Sequence, residues 1–453
     1  MTDKERIAHL EGELSKALAR ISELEAIILR LSTGKTSKNS HNPPSHDKWG
    51  KNQSLRQKSD KPVGGQKGHK GGTLKMTGTP DVTEKIYPQY CNNCGKSLEG
   101  SSFSLQSRRQ VIDIPPIVPV TTEYQSYGVR CSCGHHQCGA FPFGVDNHVQ
   151  YGKNIQSLVI YQSWYQFLPF GRLQDFFQKV CGVCLSKGTL ENILRRSAQK
   201  ALPAYEVLKE AVTRSAYVGS DETSFKSKGT KNWFWVWQNP LITYIVAAAT
   251  RTKSVIEEQF PYGLPNAILG SDRLAAQLST QAKGNQICLP HLLRELNYLI
   301  ETEQSPWASD FKCLLKDAIK LKQAHPVYAK DHPEVHQIET RTDQIFDRNH
   351  LIALLEEPLL YKRTITFFKQ LARLRNTLFT FLYHKEVPFD NKDSERAFRI
   401  VKVKTKISGQ FKALQHDFAV LRSVIDSVIK NGNLVFYAIN AIVEMPQPPK
   451  AAG

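Results

Sequence analysis

Acidic residues are in short supply: 42 Asp and Glu face 60 Lys and Arg along 453 residues, leaving a formal net charge of +18. Such an imbalance points to a polyanionic partner, because Lys and Arg neutralise phosphates and release counterions. Charge alone does not separate DNA, RNA and anionic lipid. No secretory leader is expected, since Met1 is followed by Asp3, Lys4, Glu5 and Arg6 rather than a continuous apolar run. No membrane span is expected either: the uncharged stretch 154–171 is interrupted by Gln156, Gln162, Ser163, Gln166 and Pro169. The Gly-rich run at 64–72 lacks the Gly-Lys-Ser/Thr that would make it a P-loop. These absences favour a soluble protein in a reducing compartment, with its nine cysteines as thiols or metal ligands rather than disulfides. The 40% hydrophobic content excludes a wholly disordered chain, and the length calls for roughly two to four domains.

Residues 1–33 carry apolar side chains at Ile7, Leu10, Leu14, Ala17, Ile21, Leu24, Ile28 and Leu31, with gaps that alternate between three and four. That is the seam of a coiled coil, and its Ile-rich first and Leu-rich second positions favour two parallel strands, hence a homodimer. The segment 34–85 is a basic linker rich in Gly, Pro and Ser. Its first 47 residues, 34–80, hold ten cations against Asp47 and Asp60, a composition that cannot bury a core of its own. Within it, Lys67, His69 and Lys70 alternate with glycines, so the backbone can approach a phosphate chain closely.

Residues 86–145 hold two knuckles, Cys91-x2-Cys94-Gly95 and Cys131-x-Cys133-Gly134. Cys138, His135 and His136 are alternative ligands for the second. Between the knuckles, 109–114 and 118–129 lean towards strand and are bounded by prolines. Two Cys knuckles joined by strands are the arrangement of a zinc ribbon, so Cys91, Cys94, Cys131 and Cys133 are the expected Zn2+ ligands. From 150 to 215 the pattern is helical. Residues 172–180, a turn near Gly182 and 189–198 suit either a DNA-binding helix-turn-helix, with Lys187, Asn192, Arg195 and Arg196 outward, or a helical packing hairpin. Cys181 and Cys184 read as core thiols.

The region 216–300 predicts strands at 217–225, 233–237, 243–249, 266–270 and 286–289, then a helix from His291. Asp221 sits on the first strand and Asp272 follows the fourth, whereas Glu395 lies far downstream where a new helix begins. Acids at strand ends usually line a cleft in an open α/β sheet. Convergent carboxylates suit Mg2+ or Mn2+, and paired cations of that kind serve phosphoryl transfer on DNA. Singly, each acid has a plainer role: a turn cap for Asp221, a helix start for Asp272, an Arg399 pair for Glu395. Between Gly284 and Gly409 there is no glycine, and Phe367, Phe368, Leu371, Leu374, Leu378 and Phe381 recur at helical spacing.

The segments Asp221-Glu222-Thr223, Cys288 to Leu296, and Asp390-Asn391 with Ser394-Glu395-Arg396, Arg399, Lys402, Lys404 and Ser408-Gly409 resemble the core motifs of the insertion-sequence-66 family of DDE transposases. The zipper, the Gly-rich basic run and the Cys knuckles recur in the same order in that family, so the resemblance covers nearly the whole chain. It implies a multidomain α/β protein: coiled coil, small zinc ribbon, and an RNase H-like mixed-sheet core divided between 216–300 and 386–445 by a helical insertion at 301–385. Asp221, Asp272 and Glu395 would be the Mg2+-binding catalytic triad. This chain has Ser271-Asp272-Arg273 where the family commonly has a His-Asp pair, and Glu222 and Asp393 are the alternative acids. The implied activity is binding to terminal inverted repeats, phosphodiester hydrolysis and 3′-hydroxyl attack on target DNA, in the bacterial cytoplasm at the nucleoid, with or without accessory proteins of the same element. His291 and Arg294 are placed to orient phosphate or a carboxylate, and Arg399, Lys402, Lys404 and Lys406 to form a cationic face beside the last acid. The competing readings are a non-catalytic zinc-dependent DNA-binding regulator and a metal-dependent nuclease without a joining step.

Overall fold

The computed structural model describes residues 2–37, 39–40, 68–69, 72, 74–329, 332–409, 411 and 413–446. Lys67 and Lys70 lie outside these residues, and His69 is exposed. The chain divides into two compact units, Gly50–Val120 and a larger one of Met1–Trp49 with Thr121–Gly453. No helix among the described residues is long and apolar enough to cross a membrane.

In the smaller unit the first Cys knuckle is a tight turn. The Cys91 N–H donates to the Lys96 carbonyl at 2.9 Å and the Gly95 N–H to the Cys91 carbonyl at 2.8 Å, beside a bridge between Tyr90 and Ser97. The expected strands at 109–114 and 118–129 do not form, apart from the last two residues of the second. Pro115, Pro116 and Pro119 remove ladder donors there, and Val111 and Val120 are exposed.

The larger unit opens with α1, Asp3–Ser32, whose seam residues Ile7, Leu10, Leu14, Ile21, Leu24 and Ile28 are all exposed. A short hairpin of β1, Gly128–Arg130, and β2, His136–Cys138, holds the second knuckle at its tip. Next come α2, Lys153–Ile160, which runs into a π-helical turn at Tyr161–Tyr165, then α3, Phe170–Val180, and α4, Lys187–Thr213. The Ser186 hydroxyl accepts from the Thr189 N–H at 3.0 Å and caps α4. The second helix of the predicted pair is thus 27 residues long and buries Leu190, Leu194, Ala198, Ala201 and Tyr205 in the core, while Arg195 and Arg196 face outward. Cys181 is buried as expected, but Cys184 is exposed, because it lies in the turn between these helices.

Five strands follow in a mixed sheet: β3 Tyr217–Ser227, β4 Thr230–Gln238, β5 Thr243–Ala248, β6 Leu264–Ser271 and β7 Ala282–Ile287, with α5, Lys253–Gln259, and α6, Ala275–Leu278, between them. Their order is β5-β4-β3-β6-β7; β3 is antiparallel to β4, β4 to β5, while β3, β6 and β7 are mutually parallel. The β3–β4 turn is Lys228-Gly229 with φ of 49° and 80°, the positive pair a two-residue type I′ hairpin needs. Along β6, Ala267 and Leu269 face one core while Ile268 faces another, as the period of two requires. The sheet is therefore the middle of three layers.

One outer layer holds α7, Leu289–Glu303, α8, Pro306–Ala324, α9, Pro333–Ile345, α10, Arg348–Glu356, α11, Lys362–Arg373, and α12, Thr380–Tyr383. The apolar spacing from Phe367 to Phe381 is shared by α11 and α12, with a 3-10 turn between them at Arg375–Thr377. Buried Gln286 makes that break tolerable: its amide donates to the Leu378 carbonyl at 3.0 Å and its oxygen accepts the Phe381 N–H at 2.9 Å. The chain ends with α13, Lys392–Ser408, α14, Gln415–Lys430, and α15, Val435–Glu444. On the opposite face α14 covers edge strand β5, where Ser423 and Ser427 hydroxyls accept from the Ile245 and Thr243 N–H groups at 2.8 and 2.9 Å.

Candidate active site

Register places the first two acids together. Gly219 of β3 pairs with Gly270 of β6 in a parallel ladder, so Asp221 and Asp272 each stand two residues further along adjacent strands. β6 ends at Ser271, and Arg273 turns the chain away with φ 70°, held by its ion pair with Glu295 and its place 5.0 Å over the Phe367 ring. β3 continues past Asp221 against β4, so that acid lies within a strand rather than at its end.

Glu395 arrives from the first turn of α13, and the start of that helix is fastened to β3. The Asn391 amide donates to the Ser220 carbonyl at 2.8 Å, the Ser394 hydroxyl donates to the Asn391 side-chain oxygen at 2.6 Å, and the Gln238 amide donates to Ser394 at 3.2 Å. Gly219 makes this approach possible: a Cβ there would lie 2.6 Å from Gln238 Nε2, 2.8 Å from Ser394 Oγ and 2.9 Å from Asn391 Oδ1.

His291 joins the acids. Its Nε2 lies 3.1 Å from Asp272 Oδ2 and 3.6 Å from Glu395 Oε1, while its Nδ1 lies 3.1 Å from Cys288 Sγ. Arg294, one turn on, brings a guanidinium nitrogen to 3.6 Å from the same Glu395 oxygen. The other acidic alternatives are engaged elsewhere. Glu222 accepts from Arg251 at 2.8 Å and from Gln277 at 3.0 Å, and exposed Asp393 pairs with Arg396 at 3.2 Å.

The electrostatics match a site of crowded negative charge. Burial pushes the Asp221 carboxyl well above its ordinary range, and the charges of Asp272, Glu222 and Glu395 push the same way, against one favourable hydrogen bond from the Glu222 N–H. Asp272 Oδ1 is buried and has no hydrogen-bond partner. A hard divalent cation fits both facts, since it would neutralise the cluster and fill the empty coordination of that oxygen. Among the described residues, the ligand atoms that close to within 4.8 Å of one another are those of Asp272, Cys288 and His291. At closest approach His291 presents opposite ring nitrogens to Asp272 and Cys288, and the three side chains together are a possible metal-holding group.

The cationic face of α13 differs from expectation at one position. Arg399, Lys402 and Lys406 are exposed, but Lys404 turns inward, its ammonium 5.4 Å from the Phe411 ring and 5.7 Å from Phe418, and burial pushes its pKa down to about 8. The alternation of Lys402, Lys404 and Lys406 suits a strand; on a helix only the i,i+4 pair shares a face. On α4, Arg195 and Arg196 are exposed, with Arg195 paired to Glu191 at 2.8 Å. At the two knuckles the first thiol is drawn below its ordinary value: Cys91 by the N–H groups of Cys94 and Asn93 and by the Cys94 side chain, Cys131 chiefly by the Cys133 N–H and side chain. Cys288, Asn391, Ser394 and Gly219 were not distinguished as site residues by sequence reasoning, although the Cys288-x2-His291 spacing marks one helical turn.

No match was found among curated proteins. The model of the family described as Transposase IS66 family matches residues 148–416, a span that holds the whole mixed sheet, α7 and α13. With more than half of the chain covered, and with the acids, His291 and Arg294 all inside that span, the chain belongs to the IS66 transposase family.

Proposed function

We propose that this protein cuts and joins DNA at transposon ends, using Asp221, Asp272 and Glu395 of an RNase H-like core as ligands for Mg2+ or Mn2+. The reading is carried by the buried, unpartnered Asp272 Oδ1 within a cluster that raises the Asp221 pKa. The chemistry such ions supply is activation of the attacking oxygen and stabilisation of the leaving one. The chain's own part is to position and to neutralise. The Asn391–Ser394 network holds Glu395 beside β3, Arg294 offers a guanidinium suited to phosphate, and Arg399, Lys402 and Lys406 extend a cationic surface along the same helix.

The remaining parts fit recognition and assembly. Cys91, Cys94, Cys131 and Cys133, in turns whose N–H groups favour thiolate, are assigned to Zn2+ binding, with Cys138 or a histidine as the replacement for Cys133. The zinc-bound segment and the basic linker are assigned to the terminal repeats, and the exposed seam of α1 to a homodimer.

A labelled transposon end incubated with Mg2+, with and without target DNA, tests this reading. Asp221→Asn and Glu395→Gln are expected to abolish cleavage and joining while end binding persists. Cleavage by either variant at the wild-type rate would show the triad assignment to be wrong. Binding without cleavage by the wild type would indicate a regulator, and cleavage without joining a nuclease.

A further inference from the structure

The contacts of His291 carry information that the acids alone do not. Asp272 follows β6, Cys288 precedes α7, and Asn391 precedes α13. The Asn391 N–H donates to the Cys288 sulfur at 3.3 Å, Cys288 Sγ lies 3.1 Å from His291 Nδ1, and His291 Nε2 lies 3.1 Å from Asp272 Oδ2. One chain of contacts therefore links all three elements.

Each contact along this chain can pair a donor with an acceptor. An ionised carboxylate only accepts, so His291 Nε2 must carry hydrogen to bond Asp272. With neutral imidazole, Nδ1 is then an acceptor, and the Cys288 S–H is its donor. Cys288 is buried, and burial and the Asp272 charge both push its thiol well above the ordinary value, so the proton stays on sulfur. The consequence falls on Asp272: Oδ2 is occupied by the imidazole, and Oδ1, buried without a partner, is the oxygen left for another ligand.

We propose that Cys288 and His291 are positioning residues that act as a relay, holding Asp272 through Oδ2 and thereby reserving its Oδ1 for a divalent cation. The proposal rests on the catalytic reading above. It assigns the Cys288-x2-His291 turn a task distinct from direct metal ligation: the relay lowers the cost of ordering Asp272, so its loss weakens cation affinity.

The test uses the full-length protein with Mn2+ as the probe, its binding followed by electron paramagnetic resonance, alongside the Mg2+ dependence of end cleavage. His291→Ala is expected to weaken Mn2+ binding and raise the Mg2+ needed for half-maximal cleavage by about tenfold or more. His291→Gln, which keeps an N–H near the Nε2 position, is expected to recover most of that loss. Cys288→Ala is expected to give a smaller loss and Cys288→Ser, which still donates, to restore it; this pair serves if His291→Ala does not fold. A merely structural role would lower thermal stability without moving cation affinity. Wild-type Mn2+ affinity in His291→Ala, or, should that variant not fold, in Cys288→Ala, would overturn the relay, as would failure of both conservative variants to rescue. Absence of Mn2+ binding by the wild type would instead overturn the catalytic reading, and the relay with it.

Discussion

Asp221 sits where a carboxylate is costly. Its folded-state pKa lies well above the ordinary 3.8, so between those two values the native protein holds a proton that the unfolded chain has released. Stability must then fall as pH rises through that window, because ionising this side chain costs the fold stability. Asp221→Asn is therefore expected to melt at a higher temperature than the wild type at pH 8, by on the order of 1 kcal/mol, with a smaller gain at pH 5. Adding Mg2+ should close the gap by stabilising only the wild type. Scanning calorimetry at both pH values, with and without Mg2+, measures it, and an unchanged or lowered melting temperature for the variant at pH 8 would contradict the cluster's charge. At this scale the sequence was informative about Asp221 and Glu395, because carboxylates beside a strand pattern and a helix start are visible in one dimension. It also put His291 in reach of a carboxylate, but it was silent on the Cys288 thiol behind that imidazole and on the reversal at Arg273 that brings Asp272 to it.

At the level of elements, the position of α13 decides whether Glu395 reaches the other acids. Its first turn rests on Gly219 with no space for a methyl group. Gly219→Ala is expected to displace Asn391 and Ser394, destabilise the fold by about 1–3 kcal/mol, and reduce cleavage more than DNA binding. A crystal structure or a cleavage assay of that variant checks the point; unchanged cleavage would mean that α13 is held mainly by other contacts. The same helix yields a second contrast. Lys402→Ala should weaken DNA binding and reduce its salt dependence by about one phosphate contact, whereas Lys404→Met should leave both nearly unchanged. Equal losses for the two would place Lys404 at the nucleic acid rather than over Phe411 and Phe418. The strands β3 to β7 were legible from runs of Trp, Tyr, Val and Ile between turn residues. Three other elements were not. The 109–129 strands fail because prolines outweigh β-propensity, α4 runs on to Thr213 because its apolar face finds the sheet, and the 3-10 break before α12 depends on Gln286 from a distant strand.

For the whole molecule, the arrangement of charge and of apolar surface makes one joint statement. Two short segments hold most of the excess positive charge: ten cations against two acids in 34–80, and seven against two in 391–412. The start of the first of them is tied to the layer of α7 to α12, since Asn39 donates to Glu301 at 2.6 Å and the Lys35 ammonium lies 5.9 Å from the Tyr298 ring, both partners being on α7. The root of α1 is thus anchored beside the helix that carries His291 and Arg294, while Ile7, Leu10 and Leu14 along its body are 57%, 63% and 61% exposed. A helix of about 45 Å with an uncovered seam at heptad spacing is stable in water when a second copy covers it. That anchoring would let a dimer made through α1 hold two catalytic units at a fixed relation, as synapsis of two transposon ends requires. Leu10→Glu combined with Leu14→Glu places like charges in adjacent seam layers, so the double variant is expected to sediment as a monomer where the wild type sediments as a dimer. Mn2+ binding should persist, because Asp221, Asp272 and Glu395 come together within one chain, while joining of paired ends should be lost. Analytical ultracentrifugation at matched concentrations decides it: a double variant that sediments with the wild type would mean that α1 is not the dimer contact.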